Sequence, residues 1–238
     1  MKPLKGRPEK GLATQVDGQW WLLESPTDYA KAILLMRERV AFWKDGQLHR
    51  EAGAAVIGTD GSEFWYKDDK LHREDGPAVV WADGTQEWHL DGRRHREDGP
   101  AAIWVNGTQQ WHLHGKLHRA DGPAIIWADG HEEWHLNGRR HRVDGPAFIG
   151  ANGHEEWYKD GKLHREDGPA VIWANGNEEW HLDGKRHRED GPAVVLEDGT
   201  EDWYLNGKYH RIDGPAVIRA DGSKYWYLNG KFIKREAP

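Results

Sequence analysis

The stretch Trp157-Tyr158-Lys159-Asp160-Gly161-Lys162-Leu163-His164-Arg165-Glu166-Asp167-Gly168-Pro169-Ala170 decides how the rest of the chain is read. Versions of it return along nearly the whole sequence. Trp43, Trp65, Trp88, Trp111, Trp134, Trp157, Trp180, Trp203 and Trp226 are 22 residues apart once and 23 thereafter. His-Arg pairs keep the same step from His49 to His210, and Asp-Gly-Pro-Ala follows in seven units, the first at Asp75 and the last at Asp213. A fixed period of this length marks an array of stacked small units. The first unit departs, with Ala52-Gly53-Ala54-Ala55, and the last closes on Phe232-Ile233-Lys234, as terminal units of an array do.

Each unit carries two hairpin signals, for example Asp183-Gly184 and Asp198-Gly199, because Asn-Gly and Asp-Gly readily supply the positive φ of a type I′ turn. One turn at each end makes the unit two antiparallel strands. Gly and Pro in every unit exclude helices. Asp-Gly-Pro reads as a bulge or kink inside the second strand, since Pro cannot donate to a ladder, with a further turn as the alternative. A two-residue loop at Asp91-Gly92 predicts Leu90 opposite Arg93, His89 opposite Arg94, Trp88 opposite His95 and Glu87 opposite Arg96. The same register places Glu133 against Arg142, Glu156 against Arg165, Glu179 against Arg188, Asp202 against Arg211 and Gln110 against Arg119.

Composition sets the class. Leu, Ile, Val and Phe make up about 18% of the 238 residues, below the roughly 20% at which disorder becomes an option. Fifteen Trp reverse that inference and predict an ordered protein with an aromatic core, since each ring buries on the order of 150–250 Å². Cysteine is absent, which excludes disulfides, thiolate metal sites and cysteine nucleophiles. Neither a signal peptide nor a membrane span is read, and a cytoplasmic protein is expected. Thirty-three Lys and Arg against 40 Asp and Glu, a net charge of −7, disfavour general nucleic-acid binding.

The quoted stretch resembles the core of a MORN repeat, in which an aromatic residue precedes Asn/Asp-Gly, a basic residue and His. The likeness runs over roughly residues 43 to 230, and is nearest to divergent bacterial and phage variants with His-Arg-x-Asp-Gly-Pro-Ala, some of them associated with toxin–antitoxin loci. The resemblance implies successive β-hairpins in one long curved sheet. It departs at His164-Arg165, where standard units have Gly after His, so the lipid binding attributed to some members is not carried over. The expected fold is all-β: an elongated array of about eight 23-residue hairpins over residues 43–230, with a C-terminal edge at 231–238. Residues 1–42 read as a cap, with a strand from Val16 to Leu23 and a helix from an N-cap at Ser25-Pro26-Thr27-Asp28 to about Arg39.

Candidate sites are weighed by what repeats and what does not. The Trp column is expected to be core, and the His column to pack neutral against it. His112, His114 and His118 form H-x-H-x3-H, but the register sends them to different faces, so no metal or other cofactor is expected. The basic turn residues Lys70, Arg93, Lys116, Arg139, Lys162, Lys185 and Lys208 offer a phosphate-tracking strip, opposed by the acids facing the Arg column. One defect breaks the repetition: the second Trp column, Trp81, Trp104, Trp127 and Trp173, is interrupted at Gly150. Phe148, two residues earlier on the same face, either compensates the lost volume or helps bound a binding notch of Trp127, Phe148, Gly150 and Trp173. Acids and His recur identically in every unit, whereas an active site needs a unique constellation, so no enzyme activity is expected. The expected function is a scaffold that recognises another protein, in its specific form an immunity, antitoxin or phage-related interaction protein. The alternative is a polyanion or glycan binder using the basic and aromatic columns.

Overall fold

In the computed structural model, residues 2–6, 8–16, 19–24 and 40–238 are described. They divide into two compact units, Met1–Lys116 and Leu117–Pro238, built on the same plan. All described regular elements are β-strands in antiparallel pairs, a repeated hairpin array of the kind expected of MORN-like units. The expected N-terminal helix lies outside the described residues. Of the strand expected from Val16 to Leu23, Gln19–Leu22 is present, whereas Val16 ends a separate antiparallel strand, Gly11–Val16, that pairs with it and in turn with Val40–Lys44 at the start of the array.

The two turns of a repeat differ in chemistry. At Asp91-Gly92 both residues have positive φ, 50° and 78°, so this is the type I′ turn the dipeptide predicts, and it sets His89 opposite Arg94 and Leu90 opposite Arg93. At Asp83-Gly84 only Gly84 is positive, at 92°. There the Asp83 carboxylate accepts from the Thr85 N–H at 2.8 Å, and the Trp81 N–H donates to the Thr85 carbonyl. That is a longer loop with an Asx turn, not a second type I′ turn.

Between the turns the second strand leaves the ladder. The Trp88 N–H donates to Ala101 O at 2.8 Å and its carbonyl accepts from the His95 N–H at 3.0 Å. Residues 96–100 therefore bulge outward opposite a single tryptophan. This is the kink that Asp-Gly-Pro foretells, but its length corrects the register beyond it. Glu87 stands opposite Ala102 and Val79, not opposite Arg96. Glu133 likewise faces Ile125 and Phe148, Glu156 faces Phe148 and Val171, Glu179 faces Val171 and Val194, and Asp202 faces Val194 and Val217. Gln110 faces Ala102.

The core is not aromatic. Its innermost column is Ala55, Ala78 and Ala101 in the first unit and Ala124, Ala147, Ala170, Ala193 and Ala216 in the second, each fully inaccessible. Val79, Ile125, Val171, Val194 and Val217 lie next to them, also buried. The column tryptophans from Trp65 onward are half-buried, because a single sheet has no second layer to enclose a ring on its face. Trp43 is the buried exception, and its spacing of 22 explains why. Phe42, 23 residues before Trp65, makes the ladder bonds that Trp88 makes in its own repeat, to Ala55 and His49. Trp43 sits on the opposite face with Ala13, Ala41 and Val56.

Candidate functional site

The bulges carry most of the charged chemistry, and their construction accounts for each residue of the motif. In the repeat of Trp134, the Arg142 guanidinium lies 4.0 Å over the indole, its Nε donates to Asp144 and its Nη1 to the Pro146 carbonyl. A Cβ on Gly145 would stand 2.9 Å from Arg142 Cζ, so only glycine leaves the guanidinium room. The same arrangement holds Arg73 on Trp65, Arg96 on Trp88, Arg165 on Trp157, Arg188 on Trp180 and Arg211 on Trp203, at 4.0–4.2 Å. In the first repeat Arg50 covers Phe42 at 3.8 Å and bonds Ala54 O. From Arg73 to Arg211 the partner of each arginine in this column is thus the aspartate two residues ahead, at 2.8–3.3 Å, and not the cross-strand acid the sequence register proposes. Cation–π contact and a charge-assisted bond together fix the bulge.

The His column joins repeats instead of stacking on tryptophan. His141 Nδ1 lies 3.2 Å from the backbone N of Asp160 and 3.1 Å from its carboxylate, and His164 meets Asp183 in the same way. His72 meets Asp91, His118 meets Asn137, His187 meets Asn206, and His210 Nδ1 meets the backbone N of Asn229. A ring nitrogen supplies the polar partner of a turn amide in the following repeat. The three histidines of H-x-H-x3-H go to different partners. His112 Nε2 donates to Gln110, and the His114 ring lies 4.5 Å from that of His95.

A second set of charges occupies the opposite face. His135 Nε2 and Arg140 Nε both donate to Glu133, at 2.9 and 3.0 Å, holding its carboxyl at about 2 against the opposing effect of burial. Glu87 with His89 and Arg94 repeats this, also at about 2. Glu179 with His181 and Arg186 is lowered too, although burial, its largest influence, pushes upward. Burial pushes His112 down to about 4, with the Arg94 charge acting the same way. These acids and bases answer one another and stand in repeated copies.

The residues of the expected notch lie on this same face, around Gly150. A Cβ there would meet Asn152 Oδ1 at 2.8 Å and His154 Cβ at 3.3 Å. Phe148 lies between the rings of His131 and His154, at 5.9 and 5.6 Å, and His154 continues to Trp173 at 5.8 Å. Trp127 bonds His131 through the backbone. Compensation by Phe148 is therefore shared with His154, which follows His131 of the preceding repeat and stands where the next repeat has Asn177.

What remains exposed is the bulge tip, between Arg and Asp. It is Glu in most repeats, but Ala120, Val143 and Ile212 in three, and Val143 is 91% exposed. Aligning the repeats on His-Arg would have singled these out. Around Val143 two grooves lie side by side. One, of about 440 Å³, is floored by Trp134 and Leu136; the other, of about 720 Å³, by Trp157 and Pro146, and Arg142, Val143 and Asp144 form the wall between them. No group of three or more metal-ligating side chains occurs among the described residues, and no described helix is long and apolar enough to cross a membrane. No protein-family model matches the chain, and neither does any curated protein.

Proposed function

We propose that the protein is a non-enzymatic, MORN-like repeat scaffold that recognises another protein through the face bearing the bulges. One observation carries this reading: Arg, Asp, Gly, Pro and His of the repeated motif are engaged in building the array, so specificity is left to the tips and grooves, where repeats differ. Variable positions on a regular frame are how repeat arrays distinguish partners. In its specific form the reading is an immunity, antitoxin or phage-related interaction protein, a form that rests on the sequence resemblance.

The alternative, a polyanion or glycan binder, is favoured by a different observation. Arg139, Lys162, Lys185 and Lys208 are exposed and successive, each stem lying against the glycine of the following turn. Salt separates the two. Capture of a partner from host lysate that survives a several-fold rise in salt and is lost on Val143→Glu supports protein recognition. Binding that falls linearly in log–log with salt, and ignores Val143→Glu, supports the polyanion.

A further inference from the structure

We infer that the paired grooves on either side of Val143 receive a polyproline-II segment of a partner protein, with proline on the groove floors and a basic residue at every third position. The inference rests on the proposed protein-recognition function and specifies the ligand of that face.

The first argument is period. Each repeat adds two strands, so successive grooves are about 9.5 Å apart along the array. A polyproline-II helix advances about 9.3 Å per turn of three residues, so every third side chain falls on one side at the spacing of the grooves. A β-strand of the same reach turns alternate side chains to opposite sides and cannot address both floors with residues three apart.

Chemistry supplies the second argument. The floors offer the rims of Trp134 and Trp157, and the dividing wall ends in Val143, a large apolar side chain standing in solvent. Aromatic-lined grooves suit proline because its ring packs flat and the segment brings few amide donors that need partners.

Charge supplies the third. Asp121, Asp144 and Asp167 stand along the groove walls one per repeat, with side chains 85%, 87% and 85% exposed, and each directs Oδ1 to its own arginine. Their step is the same as that of the grooves, so a ligand cation at every third residue shares one carboxylate per turn with Arg119, Arg142 or Arg165, which line the same walls. Glu166, 78% exposed, adds to the rim of the larger groove.

The test uses the full chain and a fluorescein-labelled Pro-Pro-Lys repeat peptide of about twelve residues, read by fluorescence anisotropy. A peptide of the same composition in scrambled order is the control. The ordered peptide is expected to bind about tenfold more tightly than the scrambled one, a difference of about 1.4 kcal/mol. Val143→Glu is expected to weaken it about tenfold, while Val105→Glu, at an exposed valine outside these grooves and away from the bulge tips, leaves it within about twofold. Circular dichroism of both variants checks that the exposed substitutions leave the sheet intact. If attraction between opposite charges were the whole effect, Val143→Glu would add an acid and strengthen binding, and that result overturns the inference. Equal affinity for the ordered and scrambled peptides overturns it as well. Absence of peptide binding, with partner capture that still depends on Val143, overturns the polyproline form and leaves the protein-recognition reading standing.

Discussion

At the scale of the residue, Gly145 and Arg142 show how one missing methyl group organises a repeat. A Cβ at 145 would displace the guanidinium from Trp134 and from its bonds to Asp144 and Pro146. Gly145→Ala is expected to cost about 1–2 kcal/mol in chemical denaturation, the size of a partly desolvated cation–π contact with its hydrogen bond. In an Arg142→Ala background the same change should cost much less, and a double-mutant cycle measures the difference. Acid sensitivity also belongs here. Folded His112 titrates near 4, below the usual 6.5, so the unfolded chain takes up that proton first as pH falls. Its contribution is complete above about pH 6.5 and is lost toward pH 4. Glu133, held at about 2 instead of 4.5, contributes above about pH 4.5 and loses that contribution toward pH 2. Denaturation midpoints are expected to fall in two stages on acidification, and His112→Gln should remove the part between pH 6.5 and pH 4 that His112 supplies.

At the scale of the element, hairpins were legible because Asp-Gly and Asn-Gly encode backbone conformation locally, and the turn at Asp91-Gly92 forms as its residues require. The register beyond Trp88 was not. How many residues a bulge takes up depends on where Arg96 can rest, and that is set by Trp88 on the facing strand and by Asp98 and Pro100 beside it. Trp43 gives a related case. A count of tryptophans assigns it to the column, whereas the 23-residue step reaches Phe42. Trp43→Ala is accordingly expected to cost about 3–5 kcal/mol, as for a buried ring. Trp134→Ala, which removes a half-buried ring and one arginine contact, should cost roughly 2–3 kcal/mol, below the range for buried aromatic residues. Urea midpoints of the two variants decide the order.

At the scale of the whole molecule, a sheet built from hairpins must end, and its ends are strands with unpaired amides and carbonyls. In the first unit Gly11–Val16 pairs along Val40–Lys44, whose other side is occupied by Gln47–Leu48 and Val56–Ile57. Removing residues 1–39 would bare one edge of Val40–Lys44. The truncated protein is expected to keep its β-sheet circular dichroism and to self-associate, with sedimentation coefficients that rise with concentration. A truncated chain that stays monomeric would assign these residues to partner docking instead of capping.

The sequence by itself determined the period, the all-β class, the type I′ turn at one end of each repeat and the presence of a bulge at Asp-Gly-Pro, because each depends on residues close in the chain and on backbone preferences that need no distant partner. It also marked the interruption at Gly150. Tertiary structure alone decided that alanine, not tryptophan, forms the innermost column, since enclosure depends on how many layers cover a face. It decided that arginine covers tryptophan and that histidine reaches the next repeat, contacts between residues 8 and 19 positions apart that no local preference encodes. The exposed tip at Val143 belongs to both. Its departure from Glu is written in the sequence, but its place on the wall between two grooves follows only when neighbouring bulges are brought side by side by the hydrogen bonds of the sheet.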